Sequence, residues 1–198
     1  MRTNRRIVVL GNGISRKGLP LQRIQAELPV YACNFAYREQ HEDGSPFHPD
    51  KLFAYAPVVL RNIRKDGYAS KFPVYSVGKL NTQQRACPEA TFERRVGLST
   101  GGQAVFHACH QEGVKQVFLC GFDFHPKGFP HHMHGNTGGY SDGACTRWAH
   151  QLRGFCMTFT GIKFFRVDNE PMDVFKDLPN LIHISRQQFL NRTIYGGE

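Results

Sequence analysis

At 198 residues, 40% hydrophobic and 21% charged, the chain can build one domain with a proper core, and its composition excludes a disordered or fibrous polypeptide. No apolar run approaches the roughly 20 residues that cross a bilayer, and Ile7 to Leu10 is too short for a signal-peptide core, so a cytoplasmic protein without a transmembrane segment is expected. Lys and Arg outnumber Asp and Glu by 25 to 16, giving a net charge of +9. That excess suits an anionic partner such as nucleotide phosphate, nucleic acid or an acidic surface. Because it is spread along the chain, it equally describes a merely soluble basic surface. The six cysteines form no CxxC pair. Cys33, Cys109, Cys120 and Cys156 sit in apolar segments, as small buried hydrophobes in a reducing compartment do.

In chain order, RIVVL (6–10) reads as a buried strand, continuous rather than alternating. A Gly11-Asn12-Gly13 loop follows, then a short helix in LPLQRIQAEL with Leu21, Ile24 and Leu28 on one face. PVYACNFAY is a second strand, and 41–51 is a polar, proline-containing loop. LFAYAP and FPVYSV are further strands, with VVLRNIRKDGY a helix between them. Residues 79–98 show no periodicity and receive no element. STGGQAVFHACHQEG is a helix opened by Ser99-Thr100, packing through Ala104, Phe106, Ala108 and Cys109 and ended by Gly113. KQVFLCGFDF is a strand, and 125–141 a long Gly/Pro/His loop. ACTRWAHQLRGFCMTFTG is a helix, IKFFRVD a strand, and LIHIS a last strand before a polar tail.

Strands alternating with helices predict a single Rossmann-like α/β domain over 1–198, with a mostly parallel sheet flanked by helices and a lid-like His/Gly-rich loop at 125–141. Ligands of such sheets bind beyond the carboxyl ends of the strands. GNG, STGG and GFDFH all fall at such junctions.

Each motif carries two readings. Gly11-Asn12-Gly13 lacks the third glycine of a dinucleotide fingerprint. It is a tight turn with positive φ, or a backbone made to approach an anion with the Asn12 amide beside it. Asn34, at the end of the next strand, offers a second amide or a cap. Ser99-Thr100-Gly101-Gly102 is a capped helix start with glycines for close packing, or an anion site built from helix N–H groups. Asp123 ends a strand as a site acid or as a carboxylate that caps backbone N–H groups. His125, His131, His132 and His134 crowd one glycine-rich loop. They suit a metal, although the spacing matches no zinc pattern, or phosphate binding and general acid–base work near neutrality.

The segments IVVLGNGISRKGLPLQRIQAELPVYACNFAYRE and STGGQAVFHACHQEGVKQVFLCGFDFH, in this order, resemble the bacterial sialyltransferases of the Campylobacter type, which use CMP-sialic acid. They look like that family's opening strand and GNGPS loop, its strand ending in Cys-Asn, its TSG helix and its strand ending Gly-Ile-Asp-Phe-Tyr. The resemblance implies that Asn12 and Asn34 contact the cytidine nucleotide, with Thr100, Gly101 and Gly102 beside donor phosphate and sugar. Where the family has two phosphate-holding tyrosines, this chain has His125 and His131. The family's lid-loop base corresponds to His134, with His132 as runner-up. Two positions depart from the pattern: Ala56 stands for an asparagine before a proline, and Leu98 for an arginine before TSG.

A nucleotide-sugar glycosyltransferase follows, using a CMP-type donor as substrate, a histidine base, no metal and no further cofactor. An acceptor glycan is its expected partner, with sialic acid or another sugar transferred and oligomer formation left open. Two other classes stay open: a Mg²⁺-dependent phosphotransferase or pyrophosphokinase, and a DNA-modifying or DNA-binding protein that uses the basic surface.

Overall fold

The computed structural model describes residues 5–77, 80–93, 97–124 and 142–195. Along the chain run β1 (Arg6–Leu10), α1 (Leu21–Glu27), β2 (Val30–Cys33), β3 (Lys51–Phe53), α2 (Pro57–Lys65), β4 (Val74–Val77), α3 (Leu80–Ala86), β5 (Thr91–Glu93), α4 (Thr100–Cys109), β6 (Gln116–Cys120), α5 (Asp142–Thr158), β7 (Lys163–Val167), β8 (Leu181–Ile184) and α6 (Arg186–Thr193). The strands form one sheet in the order β5-β4-β3-β2-β1-β6-β7-β8, and every pairing is parallel.

A parallel sheet covered on both faces needs strands without a polar side, which is why RIVVL reads as a run rather than an alternation. Val8 and Leu10 point into one core with Leu21 and Ile24 of α1, Leu60 and Ile63 of α2 and Phe189 of α6. Ile7 and Val9 point into the other with Ala104 and Ala108 of α4 and Ala149 and Leu152 of α5. From β1 the chain steps outward through β2 to β5, then returns along α4 to place β6 on the other side of β1. The strand order therefore reverses between β1 and β6, and a crevice opens there at the carboxyl ends.

The fold class agrees with the expectation, and several boundaries are corrected. The second strand stops at Cys33 because Asn34 takes a left-handed φ of +56° and starts a 3₁₀ turn through Arg38. The third covers only Lys51–Phe53, since Pro57 at the first turn of α2 commits the chain to a helix. The segment 79–98 holds α3 and β5, both too short to show a period. The helix α4 ends at Cys109, and Gly113 (φ +75°) lies in the turn beyond it. The polar tail contains α6, opened by a capping box in which Ser185 and Gln188 satisfy each other's backbone N–H groups. All six cysteines are buried and none is joined in a disulfide. No helix among the described residues is long and apolar enough to cross a membrane.

Candidate functional site

The glycines after β1 are explained by packing, not by turn geometry. Neither Gly11 nor Gly13 has a positive φ, which corrects the tight-turn reading. A Cβ on Gly11 would stand 2.4 Å from the carbonyl oxygen of Gly121, and one on Gly13 would stand 2.4 Å from Cγ of Asp123. Gly121 itself, at φ +75°, turns the chain as it leaves β6. The ends of β1 and β6 thus touch backbone to backbone: Gly11 N–H donates to Cys120 O (2.8 Å) and Gly13 N–H to Gly121 O (3.0 Å).

Polar groups behind the loop fix its shape. Asp123 accepts from the Ser15 N–H at 3.0 Å and from the Ser15 hydroxyl. Arg16, only 2% exposed, donates through Nε to Gly11 O and holds Glu39 with both terminal nitrogens, at 2.8 and 2.6 Å. Arg186 pairs with Asp168 and donates to Ser15 O and Lys17 O. Arg166, on β7, donates to Phe122 O (3.1 Å), Asp123 O (3.2 Å) and Glu170 O (2.8 Å), which anchors the chain where it leaves β6.

The glycines opening α4 also serve close contact. A Cβ on Gly101 would meet the Phe122 ring at 3.3 Å, and one on Gly102 would meet Oε1 of Gln151 at 2.8 Å. Ser99 Oγ caps the helix by accepting from Gly102 N–H at 3.0 Å, and Gln151 Oε1 accepts from Ser99 N–H at 3.0 Å. The N–H groups of Thr100 and Gly101, at the first turn, have no intrahelical acceptor.

Together these elements enclose a cleft with about 690 Å³ of space, open on one side to solvent. Its wall holds Gly11, Asn12, Gly13, Asn34, Thr100, Gly101 and Asp123, seven residues singled out in the sequence. Gly102 is buried beside them with its N–H committed to Ser99, and it does not line the cleft. His125, His131, His132 and His134, with the whole 125–141 loop, lie outside the described residues. Phe122, Phe124, Cys145 and Trp148 also line the cleft without having been singled out, as do Cys33 and Gly121, and Ser99 of the STGG motif lines it too. Of the supporting arginines, Arg166 carries a sequence signal, a charge inside the apolar strand FFRV. Trp148 is the chain's single tryptophan.

Two features bear on chemistry. Asn12 Oδ1 is buried and has no hydrogen-bond partner among the described residues, an acceptor left to be satisfied by a further N–H or O–H. Burial pushes the Cys33 thiol up to about 12 and also raises Cys145, so neither cysteine in the wall is a ready thiolate at neutral pH. Among the described residues no cluster of His, Cys, Asp or Glu has metal-binding geometry.

No protein-family model and no curated protein sequence matches the chain. Solved structures do. The monofunctional α-2,3-sialyltransferase Cst-I from Campylobacter jejuni superposes with a TM-score of 0.60 at 15% identity, covering 90% of this chain and 81% of that one. The sialyltransferase CST-II, in complex with a trisaccharide acceptor and CMP, superposes at 0.51 and 15% identity, covering 81% and 80%. The MAf glycosyltransferase from Magnetospirillum magneticum gives 0.57 and 15%, covering 93% of this chain but 34% of its own length. At this identity the likeness is one of fold: the chain shares the architecture of Campylobacter sialyltransferases over most of its length.

Proposed function

We propose that the protein is a nucleotide-sugar glycosyltransferase that takes a CMP-type donor and transfers its sugar to an acceptor hydroxyl. The observation that carries this reading is Asn12 in the wall of a cleft at the strand-order reversal, which the first turn of α4 also lines, with its buried Oδ1 lacking a hydrogen-bond partner among the described residues. An acceptor oxygen held in that way recognises a donor-bearing group such as a nucleobase amine or ribose hydroxyl. The Thr100 and Gly101 N–H groups suit the phosphate. The shared fold with Cst-I and CST-II supports the same class of donor.

In the proposed reaction, the bond between the anomeric carbon and the phosphate oxygen breaks as the acceptor oxygen bonds to that carbon. The acceptor's proton passes to a histidine of the 125–141 loop, His134 with His132 as alternative. His125 and His131 help the helix N–H groups stabilise the departing phosphate. The transfer needs no metal, so it survives a chelator. The acceptor is a glycan, and the sugar is sialic acid or another sugar.

The test is a thermal-melting series with CMP, CDP, UDP, GDP and ADP. A ligand that binds only the folded state at about a hundred times its Kd adds ~2.7 kcal/mol of stability. Selective stabilisation by CMP is expected, and indifference to all five refutes the proposal.

A further inference from the structure

Among the described residues, the arginines behind the cleft are paired with carboxylates, with one exception. Arg16 is matched by Glu39 and Arg186 by Asp168. Among the described residues, Arg166, 1% exposed on β7, donates only to neutral acceptors: the carbonyls of Phe122, Asp123 and Glu170, and Asn169 Oδ1 at 3.5 Å. Its guanidinium also lies over the rings of Phe124 (5.3 Å) and Phe175 (5.4 Å). Burial pulls its pKa down to about 10, opposed by the field of the Asp123 carboxylate, so it remains a cation at neutral pH. A buried cation without an anionic partner is costly, and an apolar side chain of similar volume would fill the same strand position more cheaply.

The front of the same segment shows what the charge faces. Among the described residues lining the cleft, Asp123 is the one charged side chain. Its carboxylate faces the GNG loop, where it accepts from Ser15. An anion entering this cleft meets a fixed negative charge, a repulsion that weakens binding on the order of tenfold at separations of several ångströms.

We infer that Arg166 is the counter-charge of Asp123, the positioning residue that lets a cleft walled by a carboxylate accept a phosphate. It acts through the Phe122–Phe124 backbone and from behind it, without touching ligand. The inference rests on the nucleotide reading above and separates from it by comparing CMP with cytidine, which share a base and ribose and differ in the phosphate.

The experiment is calorimetric titration of the full chain with CMP and with cytidine, for the wild type, Arg166→Met, Arg166→Lys, Asp123→Asn and the double variant Arg166→Met/Asp123→Asn. Arg166→Met weakens CMP on the order of tenfold and leaves cytidine within about twofold. Asp123→Asn retains both contacts to Ser15, its amide oxygen accepting from the N–H and its amide nitrogen donating to the hydroxyl. It tightens CMP relative to cytidine. The double variant returns the CMP-to-cytidine ratio to that of the wild type. Arg166→Lys keeps that ratio even where its melting temperature falls, because the charge survives while the fork does not.

Equal weakening of both ligands by Arg166→Met, or a double variant that does not recover the ratio, overturns the counter-charge. If Arg166→Met does not fold, Asp123→Asn alone decides, and an unchanged ratio overturns the inference. A wild type that binds neither ligand overturns the nucleotide reading, and this inference with it.

Discussion

Replacing Gly11 with alanine tests whether strand-end contact, rather than turn geometry, explains the GNG motif. Gly11 lacks a positive φ, so alanine meets no backbone penalty there. The cost is steric. The new Cβ falls 2.4 Å from Gly121 O, whereas real Cβ contacts do not fall below 3.0 Å, so the two strand ends must part by at least 0.6 Å. Backbone cannot rotate out of the way as a side chain can. Gly121 O is also held as the acceptor of Gly13 N–H, and Gly11 N–H and C=O are both engaged, with Cys120 and Arg16. Overpacking of this kind costs ~1–3 kcal/mol. One or two weakened hydrogen bonds add ~1 kcal/mol each. The expected loss is therefore about 2–5 kcal/mol, read as a lower urea midpoint at unchanged m-value. In a protein of this size it lowers the Tm by about 10 °C. A loss below about 1 kcal/mol would refute the close approach of β1 and β6, and with it the shape assigned to the cleft.

Other expectations follow from single features. Asn12→Ala removes an acceptor that has no partner among the described residues, so stability changes by less than about 0.5 kcal/mol while CMP affinity, by titration, falls about tenfold. Gly154, exposed in the middle of α5 with open space around its Cα, gains ~0.5–1 kcal/mol on Gly154→Ala, seen as a Tm rise of about 2–3 °C. The hydrogen bond from Arg153 lowers the Asp177 carboxyl to about 2. A carboxyl depressed on folding contributes stability above its unfolded value near 4 and loses it as pH falls toward 2. Asp177→Asn should therefore flatten the acid limb of the stability profile between those values: the variant loses the small contribution of this exposed pair at neutral pH and nothing at pH 2, where the wild-type carboxyl is itself protonated.

The elements legible in the sequence are those whose burial leaves a run of apolar residues. Arg6–Leu10, Gln116–Cys120 and Lys163–Val167, the central strands, stand out because neither face meets water. α3 and β5 do not. At seven and three residues, they lie at the β5 edge of the sheet, where few positions face a core and no period can repeat. In sequence α6 has the look of a polar tail because its burial rests on Phe189 and Thr193, while the signal of its start is a side-chain exchange between Ser185 and Gln188 rather than hydrophobic pattern.

The cleft was legible for a different reason. Asn12, Asn34, Thr100, Gly101 and Asp123 come from four separate segments, yet each follows a strand or opens a helix, and a parallel sheet gathers all such junctions at one end. What sequence alone does not reveal is why glycine stands where it does. Gly11, Gly13, Gly101 and Gly102 each answer to a partner more than 20 residues away: Gly121, Asp123, Phe122 and Gln151. The same holds for Arg166, whose three carbonyl partners include two from β6's exit more than 40 residues earlier. A glycine pair and a lone arginine in a hydrophobic strand look like unrelated local oddities. In the fold they meet on the two sides of one backbone segment, Gly121 to Phe124, with the GNG loop pressed against its front and the guanidinium holding it from behind. The geometry of the cleft and its charge are thus set by the same few residues, so a substitution that moves the segment also changes what the cleft can bind.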